Sequence, residues 1–147
     1  MTVDIRLLGP NDGSVLSRVA EDVFDNPVDP RLTAEFIADP RHHIAVAIDA
    51  GVVVGMATAV HYVHPDKQPE LWINEVAVAP THRREGVGKR MLQTLFARAR
   101  ELQCRAAWVA TEPDNLPARR LYASTGGEEC AEPFVMFNFP LDDAAEG

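Results

Sequence analysis

The segment EVAVAPTHRREGVGKR, residues 75–90, constrains the fold of this 147-residue chain more than any other. It begins as a buried-type β-strand and, after a proline, continues as a helix whose apolar residues recur at positions 87, 91, 95, 99 and 102. Glycine is less favourable than alanine in a helix by about 1 kcal/mol. Gly86 and Gly88, at the start of this helix, therefore require a reason.

A bound anion would supply that reason. The first turn of a helix has unpaired backbone N–H groups and a partial positive charge. Glycines expose these amides, and Arg83 and Arg84 add positive charge. A Walker loop does not fit because Arg83 stands where it requires glycine, and Met91 excludes the dinucleotide motif G-x-G-x-x-G in the same way. We expect a phosphate-binding turn here. The alternative is that the glycines only permit tight packing.

The rest of the chain alternates between strand and helix patterns, with no repeat or linker. Strands are predicted for TVDIRLL, HHIAVAID, VVVGMATAVHYV, ELWINEVAVA, RAAWVAT and PFVMFNF, with a hairpin turn at Asp49 to Gly51. Helices are predicted for GSVLSRVAEDVF behind the cap Ser14, for DPRLTAEFIADP, from Gly86 to about Leu102, and for NLPARRLYAST. This order predicts a single α/β domain over residues 1–147, with a frayed tail from about residue 141. Its sheet is mixed, with six to seven strands and about four flanking helices. The two central strands are parallel because a helix joins them.

Composition restricts the partners. The formal net charge is −8, from 14 basic and 22 acidic residues, which argues against nucleic acid. It suits a small cationic ligand, or simply solubility. No apolar run approaches the roughly 18 residues of a membrane span, and no signal peptide is visible. We expect a cytoplasmic protein without membrane contact, in which Cys104 and Cys130 are reduced packing residues.

The pattern R-x-x-G-x-G, from Arg83 to Gly88 behind VAVAP, resembles the acetyl-CoA site of the GNAT superfamily of N-acetyltransferases. The segment NLPARRLYASTGG is similar to that family's Asn-x-x-Ala-x-x-Leu-Tyr-x-x-x-Gly motif. The resemblance implies an acyl-CoA N-acyltransferase fold with splayed central strands, and acetyl-CoA as co-substrate without a metal. It also implies that the pyrophosphate lies on the amides of residues 84–89 and that the pantetheine arm pairs with residues 76–78. The cofactor-binding residues so implied are Val76, Ala77, Val78, Arg83, Arg84, Glu85, Gly86, Val87, Gly88, Lys89, Asn115, Ala118 and Tyr122.

A narrower resemblance extends over VHYVHPDKQPELWINEVAVAPTHRREGVGKRML, with IRLLGPND before it and VMFNFPLD after it. These segments are similar to the short aminoglycoside 3-N-acetyltransferases. That branch would carry an acidic residue where this chain has Asn115, which is the ordinary choice of the wider family. Dimers are common in the family, so the resemblance implies a homodimer in which PFVMFNF pairs across the interface.

Acetyl transfer to an amine requires a base, because an alkylamine with a pKa near ~10 is protonated at neutral pH. Glu75 is the candidate. As a strand residue it is expected to share an apolar face with Leu71, Ile73 and Ala77, where desolvation would raise its pKa. The alternative is an ion pair with an arginine at the sheet edge.

The resemblance assigns two further roles. Tyr122 matches the family's proton donor to the departing thiolate, although an aromatic at this helical spacing could simply be core. The backbone N–H of Val78 would polarise the thioester carbonyl. Asn115 could cap its helix as well as contact the cofactor.

A cationic acceptor would suit an acidic pocket. With Glu75, its candidate lining residues are Asp25, Asp29, Glu112 and Asp114, each of which could instead be a turn or capping residue.

The histidines make weaker candidates. His61 and His64 are predicted to point to opposite faces of a strand and so not to share a metal. His42 and His43 are predicted at the surface. His82 is predicted in a solvated loop, or alternatively at the phosphate.

The sequence thus predicts an acetyl-CoA-dependent N-acetyltransferase for a small cationic amine, with the 3-N position of an aminoglycoside as the first hypothesis. Two alternatives remain open. One is acetylation of another polyamine or of a protein N-terminus or lysine. The other is a non-catalytic acyl-CoA-binding module.

Overall fold

The computed structural model describes residues 2–142, and a mixed five-stranded sheet forms its centre. The strands lie in chain order, with the first three pairings antiparallel and the last one parallel. They are β1 (Asp4–Leu7), β2 (His42–Asp49), β3 (Val52–Tyr62), β4 (Glu70–Val78) and β5 (Ala106–Trp108). The α-helices are α1 (Pro30–Ala38), α2 (Val87–Glu101) and α3 (Leu116–Ser124), and short 3-10 turns span Gly13–Ser17 and Pro80–His82.

The predicted α/β class is confirmed, and β4 and β5, joined by α2, are parallel as expected. Within residues 2–142, however, β5 lies at the edge of the sheet and not at its centre. Within residues 2–142 the sheet has five strands and three α-helices flank it, fewer than the six to seven strands and about four helices expected. Part of the predicted frayed tail, residues 143–147, lies outside the described residues.

A large part of the core lies between the sheet and α2. Met91, Leu92 and Leu95 of this helix are fully buried. Each such side chain contributes about 1.5–3 kcal/mol of burial free energy. Gly55 in β3 has its Cβ position 3.2 Å from Cε of Met91, so α2 packs directly on the face of β3 that carries Gly55.

The predicted helix over residues 13–24 is wrong beyond its first turn, because the chain pairs with the sheet instead. Residues 13–17 form a 3-10 turn without a side-chain cap, so Ser14 does not cap a helix. Val19 then forms a parallel bridge with Val53, with the Val53 N–H donating to Arg18 and the Ala20 N–H donating to Val53, both at 2.9 Å. These backbone hydrogen bonds outweigh the weak helix preference of a valine-rich segment.

The predicted closing strand PFVMFNF is also wrong. Residues 133–139 contain no strand. The large apolar side chains of residues 134–141 are between 71% and 91% exposed. β5, the edge strand nearest in sequence, pairs over only three residues. Apolar residues of high β-propensity specify a strand only where a partner backbone is within reach.

The predicted hairpin turn is confirmed: Ala50 and Gly51, both with positive φ, connect β2 to β3.

No helix within residues 2–142 is long and apolar enough to cross a membrane. Cys104 is half-buried, as expected of a packing residue, but Cys130 is exposed, and both are free thiols.

The prediction of surface histidines at the start of β2 is wrong. His43 is buried and His42 is half-buried, with its ring stacked on Phe36. Nε2 of His43 and Nδ1 of His61 lie 2.8 Å apart, so one ring donates its N–H to the other. Burial first, and then the positive charges of His61 and Arg98, lower the pKa of His43 to about 4. Burial likewise lowers the pKa of His61.

These shifts predict that stability falls with pH below about 6.5. The unfolded chain binds protons at the ordinary histidine pKa of about 6.5, whereas the folded chain resists protonation of His43 down to about pH 4. The stabilisation is complete above pH 6.5 and should decline by about 1–2 kcal/mol as pH falls toward 4. Urea unfolding at pH 7.5 and pH 5 measures this, with His43→Gln as the variant that should flatten the profile. If the free energy of unfolding fell by the same amount between pH 7.5 and pH 5 in the wild-type chain and in His43→Gln, this prediction would be contradicted.

Candidate active site

The strand β4 loses its neighbour halfway along its length. It pairs with β5 only over Glu70–Trp72. From Ile73 to Val78 the edge that faces β5 has no strand partner within residues 2–142. This divergence is the splay that the family resemblance implies, and it leaves the backbone of residues 76–78 open to an extended ligand.

The turn that follows β4 presents backbone amides. Arg84 and Gly86 both adopt left-handed conformations, with φ of 67° and 77°. Such a turn before a helix forms a concave nest of N–H groups. The N-terminus of α2 has no side-chain cap, whereas Asp29 and Asn115 cap α1 and α3. The amides in the first turn of α2 are therefore left for a ligand.

The two glycines of the turn have separate roles. Gly86 has no atom within 4 Å of its Cβ position, so the concavity there is open. Gly88 is buried, and its Cβ position lies 3.1 Å from Cδ2 of Leu121, so this glycine permits the close contact of α2 with α3. The packing alternative thus holds for Gly88. At Gly86 the open concavity and the uncapped helix start leave room for an anion.

Side chains around the turn fix its position. Nε of Arg83 donates to the Val78 carbonyl at 3.0 Å. The predicted solvated loop for His82 is wrong: the ring is buried, with Nε2 2.6 Å from Oδ2 of Asp49 and Nδ1 2.8 Å from Oγ1 of Thr81. Through its contact with Asp49, His82 therefore connects the end of β2 to the start of the turn that follows β4.

Glu75 lies on the opposite face of the sheet from the one predicted. Ala59 pairs with Ile73 and Thr58 pairs with Glu75, so one extra residue, Asn74, forms a β-bulge. The bulge reverses the alternation of side chains. Glu75 thus shares a face with Thr58 and with Ala77, as predicted for Ala77, but not with Leu71 and Ile73. Its side chain is exposed, so the expected apolar surroundings are wrong.

On that face Glu75 lines a cavity of about 270 Å³. Asp25 and Asp29 line the same cavity, which also contains Thr58, Phe24 and Ile44. A larger cavity of about 1080 Å³ shares Asp25 with it and adds Glu21 and Asp22. The structure therefore brings three of the five predicted acceptor residues together. Glu112 and Asp114 line neither cavity and lie in the exposed turn before α3.

Two predicted capping roles are confirmed. Oδ1 of Asp29 accepts from the N–H groups of Arg31 and Leu32 at 2.7 and 3.1 Å. Oδ1 of Asn115 accepts from the Ala118 N–H at 3.2 Å. Asp29 therefore both caps α1 and lines the smaller cavity.

Tyr122 lies one helical turn beyond Ala118 and is half-buried against the core. Burial raises the pKa of its phenol, so the hydroxyl keeps its proton at neutral pH. This is the state that a proton donor requires.

His61 and His64 have different partners, but not because they alternate along one strand as predicted, since β3 ends at Tyr62 and His64 lies beyond it. His61 contacts His43, and Nε2 of His64 lies 2.9 Å from Oε1 of Glu70. Within residues 2–142 no group of three or more potential metal ligands is assembled. The buried Glu70 and its neighbours were not singled out by the sequence, because isolated residues in a strand and two loops give no local pattern.

The structure thus combines an open strand edge with an uncapped, glycine-opened helix start, the arrangement that the sequence resemblance implies. A model of the acetyltransferase (GNAT) family matches residues 15–126. The chain belongs to this family.

One curated relative is the L-2,4-diaminobutyric acid acetyltransferase of Virgibacillus pantothenticus, 35% identical over 77 residues. The match covers 52% of this chain and 47% of the relative, so it spans about half of that protein.

Solved structures share the fold. An aminoglycoside acetyltransferase from an uncultured soil metagenomic sample, in complex with sisomicin, has a TM-score of 0.78 at 20% identity, covering 95% of this chain and 97% of the other. AAC(6')-Iy in complex with the bisubstrate analogue CoA-S-monomethyl-acetylneamine has a TM-score of 0.77 at 20% identity, covering 95% and 99%. At these identities the likeness establishes the fold alone.

Proposed function

We propose that this protein transfers an acetyl group from acetyl-CoA to a primary amine of a small cationic acceptor. The observation that carries the proposal is the placement of two sites on one strand. Glu75 of β4 faces an acidic cavity on one side of the sheet, and the end of the same strand leads into the open amides of residues 84–88. An amine in the cavity would lie beside the unpaired edge of β4.

Different residues of this chain would bind acetyl-CoA and assist the transfer. Arg83 to Lys89 would hold the diphosphate on main-chain amides, and residues 76–78 would pair with the pantetheine arm. When bound, acetyl-CoA supplies the acetyl thioester. Glu75 accepts a proton from the acceptor ammonium, directly or through water, and the Val78 N–H donates a hydrogen bond to the developing oxyanion. Tyr122 keeps its proton and donates it to the departing sulfur.

The acceptor class follows from charge. Asp25, Asp29 and Glu75 line one small cavity, and three carboxylates around one cavity favour a multiply protonated ligand. Aminoglycosides are the first candidates, at the 3-N position by the sequence resemblance. The 35% match to a diaminobutyrate acetyltransferase supports a second candidate, a small diamino acid.

A thiol-release assay with acetyl-CoA tests the proposal. Sisomicin, L-2,4-diaminobutyrate, spermidine and a peptide with a free N-terminal alanine would serve as the acceptor panel. We expect transfer to at least one small polyamine and none to the peptide. Transfer to the peptide alone would make this a protein acetyltransferase. If acetyl-CoA binds and no free thiol forms with any acceptor, the protein is better described as a non-catalytic acyl-CoA-binding module.

We further propose that the protein is a homodimer in which residues 133–139 of one copy cover an apolar surface of the other. Side chains such as Phe134 and Phe137, 71% and 76% exposed, would otherwise form a large apolar surface in water. Phe137→Asp should therefore convert the dimer to a monomer in sedimentation equilibrium. A monomeric wild-type chain at micromolar concentration would contradict this.

A further inference from the structure

The only two tryptophans of the chain stack on each other. The rings of Trp72 in β4 and Trp108 in β5 have centroids 5.7 Å apart and planes inclined by 22°. Both remain accessible, with 47% and 38% of their surface exposed. Tryptophan is usually well buried, so an exposed stacked pair on a sheet face indicates a surface that receives something.

The pair lies on the same face of the sheet as Glu75, which lines the acidic cavity, although neither tryptophan lines that cavity itself. Val60 pairs with Trp72 and Thr58 pairs with Glu75, and Val60 and Thr58 are two residues apart on β3. Trp72 therefore points to the same side as Glu75, one row further along, at a spacing of roughly 7 Å. Trp108 pairs with Trp72 and extends this row across β5.

Buried polar contacts hold the pair in place. Nε1 of Trp108 donates to Oε2 of Glu70 at 2.7 Å, and Glu70 is only 6% exposed. His64 lies 2.9 Å from Oε1 of the same carboxylate, and Arg105 lies 3.7 Å from Oε2. The hydrogen bond from Trp108 is the first cause that lowers the pKa of Glu70, so the carboxylate stays ionised and able to accept from the indole. The Trp108 ring is therefore held in one orientation, and Trp72 stacks on it.

We propose that the tryptophan pair is a second subsite of the acceptor pocket, which receives a protonated amino-sugar ring of the acceptor on its indole faces. The negative face of an indole attracts a cation, and its apolar area covers the C–H face of a sugar. Asp25, Asp29 and Glu75 already make the adjoining cavity attractive to cations. The inference rests on the proposed transfer to a small cationic amine and adds where the rest of that molecule lies.

Intrinsic fluorescence tests the subsite without catalysis, because both tryptophans of the chain belong to it. Titration of the intact protein with sisomicin should change the emission saturably, and the neutral disaccharide trehalose should not. An emission unchanged by sisomicin would overturn the proposal. An equal response to both sugars would overturn the cationic specificity that it requires.

Steady-state kinetics gives an independent readout. Trp72→Leu should raise the KM for sisomicin about tenfold while the KM for acetyl-CoA and kcat stay within about twofold. Trp72→Tyr should restore most of the affinity because it keeps an aromatic face, which also distinguishes the role from folding. An unchanged KM for sisomicin in Trp72→Leu overturns the subsite and leaves the proposed function intact. A saturable fluorescence response to sisomicin, with no acetyl transfer to any acceptor of the panel, would support the binding site and refute the proposed function.

Discussion

Glu75→Gln should lower turnover at neutral pH at least tenfold and leave acetyl-CoA binding unchanged. The amide cannot accept the proton of the acceptor ammonium, and general base catalysis contributes about 100-fold or more. The side chain lines the acceptor cavity on the sheet face opposite to α2, so its loss should not disturb the turn at residues 83–89. Thiol release at saturating acceptor and acetyl-CoA measures the effect.

Glu35→Gln is the matched control. It removes the same negative charge, but Glu35 is exposed on α1 and lines neither cavity. It should retain wild-type turnover. A Glu75→Gln enzyme with full activity would remove this carboxylate from the mechanism. If both variants lose activity equally, net charge rather than a base at position 75 would explain the loss.

Gly86→Val should raise the KM for acetyl-CoA at least tenfold while the protein still folds. With φ of 77°, Gly86 holds a conformation that a β-branched residue rarely adopts, at a penalty of about 1–2 kcal/mol. No atom lies within 4 Å of its Cβ position, so the new side chain meets no clash in the folded chain. It would instead stand over the amides that we assign to the diphosphate.

Gly126→Val separates this effect from backbone strain. Gly126 also has a positive φ, 97°, and no atom within 4 Å of its Cβ position, but it follows α3. The two variants should lose similar stability in thermal unfolding, and only Gly86→Val should raise the KM for acetyl-CoA. An equal KM for acetyl-CoA in both would mean that residue 86 does not face the co-substrate.

Local patterns predicted the elements whose partners are near in sequence. α1 and α3 begin at the caps Asp29 and Asn115, and the β2–β3 turn falls at Ala50 and Gly51. The failures are segments whose structure depends on distant backbone. Residues 18–20 pair with Val53, 33 to 35 positions away, and residues 133–139 have high β-propensity without a partner strand.

The sequence indicated which residues form the candidate site, but not which face of the sheet Glu75 occupies. Glu75 and the turn after β4 are visible as residues in a pattern, and the family resemblance gave them roles. The bulge at Asn74 has no sequence signature, and it moved Glu75 to the other face of the sheet. The contacts of His82 with Asp49 and of Trp108 with Glu70 join residues 33 and 38 positions apart, which no local period reports.

Calorimetric titration of the wild-type chain with coenzyme A and with pantetheine tests the central claim most directly, because pantetheine lacks the diphosphate. If the amides between Arg83 and Lys89 hold that group, coenzyme A should bind saturably with one site per chain and at least tenfold more tightly than pantetheine. No heat with coenzyme A, or equal affinity for the two ligands, would contradict the account.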